Sequence, residues 1–228
     1  MAVENGLTWA LLCLHVDDGL LFGDPADPRF LKLKDTINGL FNIKEWKKIP
    51  FTFLAVDLEH GEKPGLWDSM VKYVKNMKVP TMEPKAPDAK LEGRDLTAYR
   101  QLVMRLRWPA YQAMPHMLYT TSYLAGRASQ AVYADFVDAC KVHRTMLQEA
   151  EAGRARLYYP PMKGEPYILS YFDASLGKED GGRSQLGSLH FLTSKEAITG
   201  PQLAAPVDYH TGRSTRLSGR PWLRRATP

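Results

Sequence analysis

Leu11-Leu12-Cys13-Leu14-His15-Val16-Asp17-Asp18-Gly19-Leu20-Leu21-Phe22-Gly23 is the stretch that decides the reading of this chain: two short apolar runs flank a polar turn with two adjacent carboxylates. Runs of this length on either side of a tight turn containing Gly predict a β-hairpin with an acidic tip. Neighbouring carboxylates repel each other unless water solvates both or a divalent cation neutralises them. Mg²⁺ does this when it takes one or two carboxylates together with substrate phosphates. A solvated Asp-Asp turn is the competing reading, and the apolar framing on both sides argues against it.

Outward from the hairpin, Asp24-Pro25-Ala26-Asp27-Pro28 supplies turn residues and a helix start. From Arg29 to Leu40, Phe30, Leu31, Leu33, Ile37 and Leu40 form a broad apolar face that predicts a helix covering one side of a sheet. Phe41 to Trp46 alternates loosely. The run Phe51-Thr52-Phe53-Leu54-Ala55-Val56-Asp57-Leu58 is apolar enough for one largely buried strand, so the two segments together predict a second hairpin. Residues 79–95 carry three prolines and several charges without periodicity and read as a surface linker.

The middle of the chain changes character. From Leu96 to Ala125 and from Ala131 to Ala152, Leu, Met, Ala, Tyr and Arg recur at helical spacing, with breaks expected near Pro109 and Pro115 and an end at Gly153. Met104, Met114, Met117 and Met146 read as core filling rather than as a binding stripe. His116 and His143 have no second ligand at metal spacing. After Pro160-Pro161, Tyr167 to Phe172 leads into Asp173, and Ser188 to Thr193 gives a second strand, with a polar turn from Gly177 to Arg183 between them. Asp173 is expected at the end of the first of these strands, where a lone Asp is ordinarily a turn former or cap.

Composition sets outer limits. The chain has 228 residues, 44% apolar and 24% charged, enough for one or two globular domains with a buried core. Two cysteines, Cys13 and Cys140, are too few and too far apart for a disulfide framework or a Cys-based zinc site. No stretch reaches the ~20 apolar residues of a membrane helix, and the N-terminus lacks the pattern of a signal peptide. An intracellular protein, cytoplasmic or nuclear, with no membrane partner is therefore expected. The net charge of +5 is uneven, because five arginines (213, 216, 220, 224 and 225) follow the last acid, Asp208. Lys72, Lys75, Lys78, Lys85 and Lys90 form a second basic stretch, interrupted by Glu83 and Asp88.

The order of these features resembles the polyprotein of copia-type retrotransposons, in its reverse transcriptase and the beginning of its ribonuclease H. Leu12-Cys13-Leu14-His15-Val16-Asp17-Asp18-Gly19-Leu20-Leu21 is similar to the family's polymerase box, written YVDD, with His15 in place of tyrosine. Phe41 to Glu59 resembles the "F-x-I-K-x-L, F-L-G-I-x-I" hairpin. Tyr73-Val74 and Val79-Pro80-Thr81 resemble the "K-Y-I" helix start and the "V-x-T-P" stretch. Tyr99-Arg100-Gln101-Leu102-Val103-Met104-Arg105-Leu106 is similar to "Y-R-x-x-V-G-x-L". Ser170-Tyr171-Phe172-Asp173-Ala174-Ser175 with Arg183-Ser184-Gln185-Leu186-Gly187 resembles "Y-S-D-A-D-W…R-S-T-S-G" at the opening of ribonuclease H. Each motif is weak alone. Five in the family's order span nearly the whole chain.

The resemblance implies an α+β protein: a partial reverse-transcriptase palm of antiparallel sheet plus helix (residues 1–78), a linker (79–95) and a helical thumb and connection (96–160). A truncated ribonuclease H-like α/β remnant (161–212) and a basic tail (213–228) would follow. It implies nucleotidyl transfer with two Mg²⁺ ions about 4 Å apart. Asp17 and Asp18 would be metal-binding and catalytic, and Asp173 the corresponding carboxylate of ribonuclease H. His15, Val16, Trp46 and Phe53 would position primer and duplex. The implied partners are an RNA/DNA primer–template duplex, a deoxynucleoside triphosphate and the remainder of the polyprotein upstream.

The departures imply limits. The family's third metal-binding carboxylate lies well upstream of the box, and only fourteen residues precede His15, so a catalytically incomplete fragment is expected. Where the family writes S-T-x-A-E, this chain reads Ser218-Gly219-Arg220-Pro221-Trp222-Leu223-Arg224-Arg225. That peptide can be encoded TCC GGT CGA CCC TGG CTG CGG AGG, which from its third nucleotide gives R-S-T-L-A-A-E, so the tail reads as a frameshifted end. The coding DNA tests this reading. Two alternatives stand beside the fragment: a retained non-catalytic module that binds nucleic acid or protein, and an unrelated Mg²⁺-dependent phosphotransfer domain, which would lack a phosphate-cradling Gly-rich loop.

Overall fold

The computed structural model describes residues 2–4, 7–16, 18–161, 165–179, 183–198, 200 and 202–217. The chain is a mixed α+β protein with antiparallel sheets. It divides into two compact units, Met1–Phe53 and Leu54–Pro228.

The first unit is built on the sheet β1-β2-β3, with β1 Ala2–Glu4, β2 Leu7–His15 and β3 Asp18–Gly23. β2 and β3 pair antiparallel from Ala10↔Gly23 to His15↔Asp18. Helix α1, Pro28–Phe41, begins where the sequence places a start: the Asp27 carboxylate accepts from the Arg29 backbone N–H at 2.8 Å, and Pro28 needs no partner for an amide it lacks. Asn42, at φ 47°, ends it in the left-handed region. Phe30 and Ile37 are the buried side chains of this helix. A β-carbon on Gly23 would run into the Phe30 ring, so glycine at that position is what lets helix and hairpin meet.

The expected second hairpin is corrected by the structure. Residues 43–50 form no strand, and the run from Phe51 to Leu58 is not one strand but two, β4 Phe51–Phe53 and β5 Val56–Glu59. Leu54 and Ala55 between them lie at φ 50° and 63°, a two-residue turn that apolar composition conceals.

In the second unit β5 pairs antiparallel with β6, Leu66–Ser69, and β6 with β7, Arg156–Tyr159. The short helix α2, Val71–Lys75, follows β6. The helical block is α3 Gly93–Gln112, a 3₁₀ turn Pro115–Met117, α4 Leu118–Gly126 and α5 Tyr133–Glu151. Pro115 breaks the helix as expected, but Pro109 does not. It is buried inside α3 one turn before the end, where Ala113 and Met114 donate back to its carbonyl. Tyr99, Leu102, Val103, Leu106, Met114, Leu124 and Met146 are fully buried, and the Tyr99 hydroxyl donates to the Leu124 carbonyl at 2.7 Å. Three of the four methionines read as core are buried, whereas Met104 is largely exposed on α3.

Residues 79–90 carry no helix or named strand, yet they are tied down. The first amides of α5, Tyr133 and Ala134, donate to the carbonyls of Ala89 and Pro87, and Leu91 donates to Ala131. The orphan N–H groups of a helix start thus find acceptors in the proline-rich segment. The Asp135 carboxylate completes that start, accepting from the Val132 N–H at 2.8 Å and from Arg127 Nε at 2.5 Å.

The last sheet is a meander, β8 Pro166–Glu179, β9 Arg183–Ser194 and β10 Ala205–Leu217, in the order β10-β9-β8. Its β10 edge packs on α4 and on β7. β10 continues through Arg213 and Arg216, inside the stretch whose composition predicts a basic tail from residue 213. The Ser218 to Arg225 stretch read as frameshifted lies outside the described residues. No described helix is long and apolar enough to cross a membrane.

Candidate functional site

The acidic hairpin forms with His15 and Asp18 as its last paired residues, with two chain positions between them. A loop this short requires a positive φ at its first position, and Val16 supplies it at φ 54°, where a β-branched residue is strained. The Val16 side chain is 94% exposed, so no packing rewards that strain. His15 and Asp18 are both exposed and face each other across the strand pair at the tip. Asp17 lies outside the described residues.

The other residues expected at this site sit elsewhere in the first unit. Trp46 is held on α1: its Nε1 donates to Asn38 Oδ1 at 2.6 Å, and the Lys34 ammonium lies 5.2 Å from its ring centre. Phe53 is half-buried at the end of β4. Among the described residues of the unit, ion pairing is found at the start of α1, where Arg29 holds the Asp27 carboxyl below its ordinary range, chiefly through their side-chain hydrogen bond.

Asp173, expected at a strand end, lies within β8 instead, paired with Gly187 of β9. The strand extends six residues past it because β8 and β9 stay in register beyond Asp173, to Ser175↔Gln185 and, after an irregularity, to Glu179↔Arg183. Asp173 is exposed and its carboxylate accepts from the Ala174 N–H at 2.8 Å. Three residues earlier on β8, Ser170 Oγ lies 2.8 Å from His190 Nδ1, and Asp208 is the register partner of His190 on β10. This Ser-His-Asp row across three strands was not anticipated, because only cross-strand register brings the three together. The Phe172 ring packs edge-on to His190 at 5.3 Å.

Among the described residues no three His, Cys, Asp or Glu side chains come together as a metal site. Asp18 offers hard, exposed oxygen donors of the kind Mg²⁺ takes with waters and phosphate oxygens, and the neighbouring Asp17 adds a second carboxylate in the sequence. The donor chemistry fits that ion as a partial ligand set. No family model, curated protein or solved structure matches this chain.

Proposed function

We propose that this chain is a piece of an RNA-directed DNA polymerase of the copia retrotransposon type, running from the metal-binding hairpin of the palm into the start of a ribonuclease H-like domain. The observation that carries the reading is the β2–β3 hairpin, whose two-residue loop sets Asp18 at an exposed tip opposite His15. The motif order along the chain supports it. Asp17 and Asp18 would hold Mg²⁺, which when bound activates a primer hydroxyl and neutralises charge on the departing pyrophosphate. His15 and Val16 would lie beside the primer terminus, and the helices α3 to α5 would follow a duplex by its backbone. The reading assigns two carboxylates to the ions and no third, which would give poor control of ion position, so we expect no polymerisation by this chain alone.

Mn²⁺ titration of the isotope-labelled chain tests the metal reading. Paramagnetic broadening should concentrate on the amides from Leu14 to Leu20 and disappear in Asp18→Asn. Broadening spread evenly over the surface overturns it. Primer extension with Mg²⁺ should yield essentially no product, and robust extension that Asp18→Asn abolishes would overturn the inactivity. A second reading, a retained non-catalytic binding module, keeps duplex binding without metal-dependent chemistry. In that case duplex affinity falls with salt and survives Asp18→Asn.

A further inference from the structure

The β5–β6–β7 ladder has two chemically different faces. Asp57, Ser69 and Arg156 stand in one cross-strand row. Side chains alternate along a strand, so Glu59 shares their face, while Val56 and Leu58 point to the other and are buried. Helix α2 leaves the end of β6 directly, and Lys72 and Lys75, three residues apart on it, border the same polar face. Together these residues line a cleft of about 450 Å³ in which Val71 is the single apolar side chain.

The charges in this cleft are arranged for a particular ligand. Arg156 Nη1 stands 4.0 Å from Glu59 Oε2, too far for a hydrogen bond, so both groups retain hydrogen-bonding capacity. Lys72 and Lys75 are exposed, and the ion pairs found among the described residues leave both out. Three cations converging on one space repel one another, and an anion with several oxygens relieves that repulsion. A bare anion would meet the Glu59 carboxylate in the same space, so a ligand that also presents a hydrogen-bond donor to it fits better. The volume falls within the roughly 300–1,000 Å³ of small-ligand sites.

We propose that this cleft binds a sugar–phosphate unit. Lys72, Lys75 and Arg156 take the phosphate oxygens, and Glu59 accepts from a sugar hydroxyl. The same unit occurs in a free phosphomonoester and in the backbone of a polynucleotide. The site lies in the second unit and stands independently of the polymerase reading.

Titration of the full chain with ribose 5-phosphate, inorganic phosphate, ribose and a single-stranded oligonucleotide, followed by calorimetry and by amide shifts, separates the possibilities. Ribose 5-phosphate should bind more tightly than phosphate or ribose, with shifts centred on residues 71–76. Lys72→Met with Lys75→Met should weaken it by roughly ten-fold or more. Both lysines are exposed, so the variant keeps its fold, which a thermal melt verifies. Oligonucleotide binding that ribose 5-phosphate displaces, and that the same double variant loses, assigns the polymer as the source. Affinity unchanged in the double variant, phosphate binding as tightly as ribose 5-phosphate, or no shift at residues 71–76 overturns the proposal. Asp18→Asn should leave all of these titrations unchanged, so the two readings fail separately.

Discussion

The two units of this chain bury their apolar residues very differently. In the first, the described buried apolar side chains are Ala10, Phe30 and Ile37, while Leu11, Leu14, Phe22, Leu31, Leu40 and Phe41 are exposed. In the second, α3, α4 and α5 close on a dense interior of Tyr99, Leu102, Val103, Leu106, Met114, Leu124 and Met146. Apolar content predicts strand and helix well in both units. It predicts a core only where a second layer covers the apolar face, because the hydrophobic effect acts on area removed from water.

That contrast can be broken most forcefully at Leu102. Leu102→Ala removes a fully buried side chain and should cost about 2–5 kcal/mol in urea unfolding. Leu14→Ala on the exposed hairpin should change stability by no more than about 0.5 kcal/mol. Equal costs at the two positions would mean that the hairpin is covered as thoroughly as the helices.

Arg127 offers a somewhat smaller effect. Its guanidinium pairs with the buried Asp135 carboxylate at the start of α5, and Arg127→Met should cost about 2 kcal/mol by leaving that carboxylate with the Val132 N–H as its remaining described partner. A thermal melt reads the loss. In the first unit the expected change has the opposite sign. Val16→Gly relieves the left-handed backbone of the hairpin loop and should stabilise the hairpin by about 1 kcal/mol, seen as slower amide exchange at Cys13 and Leu20. Faster exchange would show that the valine is tolerated without strain.

The smallest effect sharpens the comparison through pH. Asp68 lies on β6, and burial raises its carboxyl above the ordinary range, partly offset by its hydrogen bond with the Tyr159 hydroxyl. Burial also pushes the phenols of Tyr159 and Tyr209 up, and the Asp68 charge adds to both shifts. A raised carboxyl pKa means that the folded state holds the proton more tightly than the unfolded chain. Its contribution is fully present below the unfolded value of about 3.9 and is lost as pH rises through the folded value. Asp68→Asn should therefore flatten the fall of melting temperature with pH above ~4 and raise it slightly at neutral pH. A melting profile that keeps the wild-type slope would place the pH dependence elsewhere.

Legibility followed the range of the interactions. The start of α1 was readable because Asp27 and Pro28 act within one turn, and the hairpin because its two strands are joined by two residues. The turn at Leu54-Ala55 is hidden in the sequence because neither residue is a turn former, and Pro109 does not break α3 because its place one turn before the end spares most of the helix. Of the candidate site, the Asp17-Asp18 pair was visible as a motif. The Ser170–His190–Asp208 row and the cleft of Lys72, Lys75 and Arg156 were not, because each depends on pairing between strands or on packing of a helix over them.

By itself, then, the sequence determined what periodicity and local chemistry determine: an acidic hairpin, a capped helix after it, a helical middle and a closing set of strands. Tertiary structure decided which apolar faces are covered, where Asp173 falls along its strand, and which charges share a space. The physical reason is that caps and tight turns close over a few residues, whereas burial and charge convergence are set by partners as far apart as Glu59 and Arg156.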